Sequence, residues 1–327
     1  METIRLEKEE RQLRQAAEIL RRGGIVAFPT ETVFGLGADA TNPSAVQRLF
    51  QAKGRPADNP LIVHLAEPDD WPLAVSSLPT TARQLLSAFA PGPLTVVVPK
   101  QECIAPAVTA GLPTVAVRVP SNPVARELVR LVGRPIAAPS ANRSGRPSAT
   151  TWQSVLEDLD GRIDAVVCDN PSEIGVESTV VDCCQNPPVV LRRGAVTEAQ
   201  IAAVVGQVSS PGNLQGDGAM VNSPGVRHPH YQPTARVRLV DSPPSADELR
   251  SLPGRIAYCG LQGLSRAAAS RVSVARTFTS LEEYARDFYE FLRLADRDGA
   301  AWIVVERAKP EGIGAALLDR QTRAADR

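Results

Sequence analysis

The 327-residue chain is poor in the residues from which metal sites, disulfide frameworks and stacking surfaces are built. It has three histidines and five cysteines (Cys103, Cys168, Cys183, Cys184 and Cys259). None of the cysteines forms a CxxC pair, so no metal-ligand spacing and no disulfide framework is visible. Aromatic residues make up 4% of the chain, which weakens any reading as a single-strand nucleic-acid binder. No apolar run approaches the length of a membrane span, and the opening METIRLEKEE lacks the apolar core of a signal peptide. Neither sign of charge prevails: Lys+Arg and Asp+Glu both count 36. Any bound anion must therefore be held by a local cluster of cations. Lysine is scarce, occurring only at Lys8, Lys53, Lys100 and Lys309. No GxxxxGK[ST] phosphate loop, GxSxG elbow or HExxH helix occurs, and GLG at 35–37 does not extend to GxGxxG. A cytoplasmic protein with reduced thiols and no membrane contact is expected.

What is present is ample apolar material, 43% of the residues, in an α/β alternation. Residues 7–22 have the pattern of an amphipathic helix stopped by Gly23-Gly24, followed by the strand IVAF and the turn-rich PTETVFGLGADA. Helices are expected over 43–53 and near 79–89, 122–132, 151–159 and 197–205. Between them lie the strand-like LIVHL, LTVVV, TVAVRV, PIAA, IDAVVC, STVVDC and PVVLR. The late crowding of strands predicts a mixed rather than purely parallel sheet. Residues 207–235 are dense in Gly, Pro, Ser and Asn and read as a linker. Beyond it ARVRLV, RIAYCG and AAWIVVE, with helices near 280–297 and 312–325, predict a smaller α/β unit. The expected division is a catalytic domain over 1–206, a linker or lid over 207–235 and a second domain over 236–327.

Four polar clusters lie at strand ends or turns. Pro29-Thr30-Glu31-Thr32 follows IVAF, and on its own is a turn or helix cap. In QAKGRPADNPLIVH (51–64), Lys53 and Gly54 suit the end of a helix, and His64 suits a core position. APSANRSGRPSATT (138–151) is a hydroxyl-rich loop, the kind that serves either as ordinary surface or as a phosphate cradle. IGVESTVVD (174–182) opens a strand with Ser178 and Thr179. Arg118 in TVAVRVP and Arg192 in PVVLRRG differ, because a guanidinium in an apolar strand needs an anionic partner, either a protein carboxylate or a ligand. If the strand ends share an edge, Lys53, Arg55, Arg118, Arg143, Arg146 and Arg192 make a polyanion site there.

Taken in order, PTETVFGLG, KGRPADNPLIVH, PGPLTVVVP, TVAVRVP, APSANRSGRPSATT, IGVESTVVD and LRRGAVT resemble the YrdC family. The linker and the tail EGIGAALLDRQTRAA resemble its long, two-domain form. The resemblance implies a twisted mixed sheet with helices around a basic cavity, and a smaller C-terminal Rossmann-like α/β domain. It implies an adenylyl transfer in which L-threonine, bicarbonate and ATP give threonylcarbamoyl-adenylate and pyrophosphate, with Mg2+ carried by the ATP phosphates. The product would pass to a separate tRNA threonylcarbamoyltransferase, with direct tRNA binding weak or absent. By family pattern Lys53, Arg55, Ser140 and Asn142 mark the catalytic cavity. Lys53, Arg55, Asn59, Thr114, Asn142, Ser148, Arg192 and the linker's Tyr231 would meet ATP. Thr32, His64, Arg118, Ser140 and Ser178 would hold threonine, with Arg118 on its carboxylate.

Overall fold

In the computed structural model, residues 2–210 and 231–325 are described. Most of the expected linker, including Arg227, His228 and His230, lies outside the described residues. The described chain divides into two compact units. The second comprises everything from Tyr231 onward, together with Gly145–Ser148 and Ile174–Val176.

The first unit runs β1 (Ile4–Leu6), α1 (Glu10–Arg21), β2 (Val26–Phe28), β3 (Gly35–Asp39), α2 (Pro43–Lys53), β4 (Ile62–His64), α3 (Thr80–Phe89) and β5 (Leu94–Pro99). It continues with β6 (Thr114–Arg118), α4 (Pro123–Val132), β7 (Ile136–Ala137), α5 (Trp152–Leu159), β8 (Ala165–Val167), β9 (Thr179–Asp182), β10 (Val189–Arg192) and α6 (Glu198–Val205). Its ten strands form one mixed sheet in the order β1-β8-β2-β3-β7-β4-β6-β5-β9-β10, as the sequence pattern predicts.

The helices begin and end where local chemistry dictates. Asn42 accepts from the backbone N–H of Ser44 and Ala45, Pro43 opens α2, and Gly54 closes it in the left-handed region at φ 60°. Helix α4 repeats the device, with Asn122 accepting from the amides of Val124 and Ala125 ahead of Pro123. Leu13, Ala16, Ala17 and Leu20 form the buried stripe of α1, and Val124, Ala125, Leu128, Val129 and Val132 that of α4. Both stripes pack into one apolar cluster with β1, β2 and β8. Each fully buried leucine there contributes about 1.5–3 kcal/mol.

Strand β3 is a departure from the sequence reading, which takes PTETVFGLGADA as turn. It pairs antiparallel with β2 and β7. Its glycines are required sterically: a Cβ on Gly37 would lie 2.8 Å from the Phe28 ring and 3.0 Å from Ile136. The strand is glycine-rich because an aromatic ring lies across it. Gly194, just past β10, is tighter still, since its Cβ would sit 2.3 Å from the Thr179 amide nitrogen and 2.5 Å from the Ser178 carbonyl carbon. Backbone cannot yield as a side chain can. Gly194→Ala is therefore expected to cost about 2–3 kcal/mol, lowering the melting temperature by about 5–10 °C. A calorimetric melt within 1–2 °C of the parent would contradict this close approach.

The second unit carries β11 (Arg236–Val240), α7 (Ala246–Arg250), β12 (Ile256–Gly260), α8 (Arg266–Ala269), β13 (Val274–Thr277), α9 (Leu281–Arg297), β14 (Trp302–Glu306) and α10 (Gly314–Ala325). Its four strands are all parallel in the order β11-β14-β12-β13, with helices between them, the expected Rossmann-like pattern. Strand β13, with the burial pattern of a half-exposed edge, and the short helices α7 and α8 were not legible as apolar runs.

Register decides where the polar residues of the first unit stand. Parallel pairing of β4 and β6 puts His64 beside Arg118. Strand β5 runs against β6, β9 runs with β5, and β10 runs against β9, with Arg192 opposite Val180. His64, Arg118, Ser178 and Arg192 thus share one sheet edge. Thr114 begins β6 at the other edge. Ser140 also leaves at that other edge, bridged to Gly35, because β7 runs against β4. The polar residues are therefore split between two edges rather than gathered at one. The strands between are three to six residues long, about 10–20 Å, so long side chains from one edge reach groups at the other.

Candidate functional site

Arg118 is the clearest such link. Its guanidinium is 4% exposed. Nε donates to the Gly92 carbonyl at 3.2 Å and Nη1 to Thr32 Oγ1 at 2.8 Å. Nη2 lies 2.7 Å from Glu31 Oε1. The open question of its anionic partner thus has a protein answer in this conformation, a carboxylate adjacent to Thr32. Thr32 Oγ1 is also 2.9 Å from Thr30 Oγ1, which donates to the Val33 carbonyl at 2.6 Å, so the 30–33 turn is fixed by its own hydroxyls. Burial pushes the Glu31 carboxyl up, but the Arg118 charge, with the nearby N–H groups of Arg118, Ser121 and Glu31 itself, outweighs this and leaves it below the usual carboxylate range.

His64 is buried, with the Phe28 ring edge-on at 6.1 Å and its Nδ1 3.4 Å from the Ile62 carbonyl. Burial and then the Arg118 charge push its imidazole down to about 3, with Glu31 and the Ile62 carbonyl opposing. It is a neutral donor and acceptor at working pH. The unfolded chain takes up this proton below about 6.5, whereas the folded chain does so only near 3. The His64 contribution to stability is therefore complete above 6.5 and is lost progressively as pH falls towards 3, at about 1.4 kcal/mol per unit. Glu31, lowered on folding, acts in the same sense over the more acidic carboxylate range. The urea midpoint is expected to drop between pH 7 and pH 5, and His64→Gln to flatten that drop; a parallel drop in the variant would assign the effect elsewhere.

Ser178 Oγ lies 2.7 Å from Thr95 Oγ1, and Arg192 donates from Nε to the Ser178 carbonyl at 3.0 Å and from Nη2 to its hydroxyl at 3.1 Å. Ser178 and Arg192 are therefore tied to each other where β9 begins and β10 ends. The role of Thr95 in orienting the Ser178 hydroxyl was not legible, because a threonine inside LTVVV carries no local signal.

The turn after α2 is built from backbone carbonyls. Lys53 is 2% exposed, and its ammonium donates to the carbonyls of Ser140 and Asn142. Its own carbonyl accepts from the Ser144 amide at 2.9 Å. Ser140 Oγ donates to Asn142 Oδ1 at 2.5 Å, and Asn142 Nδ2 donates to the Arg143 carbonyl at 2.8 Å. Lys53, Ser140 and Asn142, 87 and 89 residues apart, are thus brought together, with the lysine as a clamp on the loop. Arg55 turns back on its own segment, Nε donating to the Asn59 carbonyl at 3.1 Å and Nη2 to the Pro60 carbonyl at 2.9 Å. Asn59 is buried and Thr114 half-buried.

Ser148 and Tyr231 group with the second unit. There the Tyr231 ring is buried, stacked on Tyr289 at 5.3 Å, with the Arg320 guanidinium 5.5 Å from its centroid. Its φ of 67° is a left-handed conformation held by this packing. Among the described residues no group of three or more His, Cys, Asp or Glu is arranged to hold a metal ion, and no helix is long and apolar enough to cross a membrane. The five cysteines are unbridged.

Comparison with known proteins follows the same division. The family described as "Telomere recombination" matches residues 18–194, and "Threonylcarbamoyl-AMP synthase, C-terminal domain" matches 196–326. Threonylcarbamoyl-AMP synthase of Bacillus subtilis is 40% identical over 330 residues, 99% of this chain and 95% of its own length. That of Pyrococcus abyssi is 40% identical over 328 residues, 98% and 96% of the two chains. The crystal structure of P. abyssi Sua5 complexed with L-threonine superposes with a TM-score of 0.90 at 37% identity, covering 99% of this chain and 98% of that one. With both domains matched and near-complete coverage on each side, the chain belongs to the threonylcarbamoyl-AMP synthase family, in its two-domain form.

Proposed function

We propose that the chain condenses L-threonine, bicarbonate and ATP into threonylcarbamoyl-adenylate, releasing pyrophosphate and water, with the amino acid held around Arg118. The observation that carries this reading is the buried Arg118 guanidinium, a planar fork suited to a carboxylate and surrounded by Thr32 and His64. L-Threonine in the P. abyssi structure supports it by likeness. Thr32, neutral His64, Ser140 and Ser178 orient the amino acid by uncharged hydrogen bonds. Lys53, Arg55, Asn59, Thr114, Asn142, Ser148, Arg192 and Tyr231 serve ATP, Lys53 chiefly by fixing the Ser140–Asn142 loop. In this division residues 1–206 carry the chemistry, and 207–235 join them to 236–327.

The bound threonine ammonium first gives one proton to water; the freed amine nitrogen attacks the bicarbonate carbon, the C–N bond forms, and the carbon–hydroxyl bond breaks as water leaves. A carbamate oxygen then attacks the α-phosphorus in line, and the bond to the β-phosphate breaks as pyrophosphate departs. Positioning and charge neutralisation supply most of the rate, as in phosphoryl transfer. Mg2+ would be held by the ATP phosphates and water and would neutralise phosphate charge. The product is a mixed anhydride, which a cytoplasmic tRNA threonylcarbamoyltransferase would consume. The test is pyrophosphate release with ATP, Mg2+, bicarbonate and L-threonine. Release that requires both L-threonine and bicarbonate is expected, and release indifferent to either one overturns the reading.

A further inference from the structure

Glu31 has no role in the ligand contacts assigned above, yet its surroundings are those of a ligand-binding group. The carboxylate is 3% exposed and neither oxygen accepts an aligned hydrogen bond, although the backbone N–H groups of Ser121 and of Glu31 itself stand close enough to add to the Arg118 charge in keeping it anionic. Oε1 is 2.7 Å from Arg118 Nη2, but that nitrogen likewise makes no aligned hydrogen bond. The two charges are close without spending their donor and acceptor directions on each other. Buried carboxylates are ordinarily satisfied by hydrogen-bond donors. Around this pair stand the Thr32 hydroxyl, which accepts from Arg118, and His64, in register with Arg118 and uncharged at neutral pH. The corner thus presents one buried anion beside one buried cation, the inverse of an α-amino acid zwitterion.

We infer that Glu31 is the counter-charge for the α-ammonium of the bound amino acid, taking its N–H donors while Arg118 takes the carboxylate. This rests on the proposed binding of L-threonine at Arg118. An ammonium brings three donors, which suit the acceptor positions that Arg118 leaves unused on Glu31. The Arg118 charge keeps the carboxyl anionic at neutral pH, so Glu31 holds the ammonium rather than drawing off its proton. Glu31 then selects α-amino acids over hydroxy acids of the same carbon skeleton.

Calorimetric titration of the full chain with L-threonine and with (R)-3-hydroxybutanoate, which is threonine without its amine, tests this. The parent protein is expected to bind L-threonine at least about 10-fold more tightly, as charge-assisted bonds require. Glu31→Gln is expected to bring the two affinities within about 3-fold by weakening L-threonine, with the hydroxy acid bound no less well than before. Equal weakening of both ligands would show that Glu31 only orients Arg118, and would overturn the inference, as would no effect on either. Glu31→Asp, which keeps the anion beside Arg118, covers the case in which the Gln variant fails to fold, and is expected to lose L-threonine selectively. If neither variant folds, equal affinity of the parent for the two ligands overturns the inference. A parent that binds no L-threonine overturns the site reading itself, which separates that failure from this one.

Discussion

Arg118→Met is expected to lower kcat/KM for L-threonine by roughly 10³-fold, with most of the loss in KM. The magnitude follows from two charge-assisted bonds to a carboxylate, each about 1.5–3 kcal/mol. The same substitution strips Glu31 of its cation, and breaking one side of a buried pair costs about 3–5 kcal/mol of stability. Folding and binding must therefore be separated. Arg118→Lys does so: the charge remains near Glu31, while the planar fork that also holds Gly92 and Thr32 is lost. It is expected to melt within a few degrees of the parent and still bind L-threonine about 10²-fold more weakly. Direct titration reads this, and normal L-threonine affinity in a folded Arg118→Lys protein would remove Arg118 from the site.

Lys53→Ala has the second largest expected effect, and its geometry predicts a different signature. The ammonium is buried against two backbone carbonyls, those of Ser140 and Asn142. Removing it leaves one buried acceptor, the Asn142 carbonyl, and one part-buried acceptor, the Ser140 carbonyl, without this donor, at about 1–3 kcal/mol for the buried one, and loosens the loop that carries both site residues. Misplacement by about an ångström lowers rates about 10²-fold, so kcat is expected to fall by 10²–10³ while KM for L-threonine changes little. Lys53→Met, which keeps the apolar stem, is expected to recover part of the melting temperature and none of kcat. Single-turnover pyrophosphate release in both variants checks this, and a normal kcat would return Lys53 to the end of α2 as a mere helix terminator.

The helices were legible because their signals are local. Asn42-Pro43 at one end of α2 and Gly54 at the other bound it without reference to the rest of the chain. The apolar strands were legible for the same reason. Strand β3 was not, because glycine and alanine in GLGAD are selected by a ring from β2 rather than by strand propensity. The site divides along the same line. Arg118 announced itself as a charge in an apolar strand, but its pairing with Glu31 across 87 residues is created by the β4–β6 register and the 30–33 turn. Lys53 read as dipole complementarity at a helix end; its long reach to the Ser140 and Asn142 carbonyls depends on how β7 leaves the sheet. The single common edge expected for the polar residues was an α/β rule carried too far, since β7 and β5 each run against a neighbouring strand.

The most direct measurement follows the carbon. The full chain is incubated with ¹³C-bicarbonate, L-threonine, ATP and Mg2+, and the adenylate product is weighed by mass spectrometry while pyrophosphate is counted. The expected result is one ¹³C atom in each threonylcarbamoyl-adenylate and one adenylate for each pyrophosphate released. An adenylate without labelled carbon, or pyrophosphate released at the same rate without L-threonine, would contradict the proposed reaction.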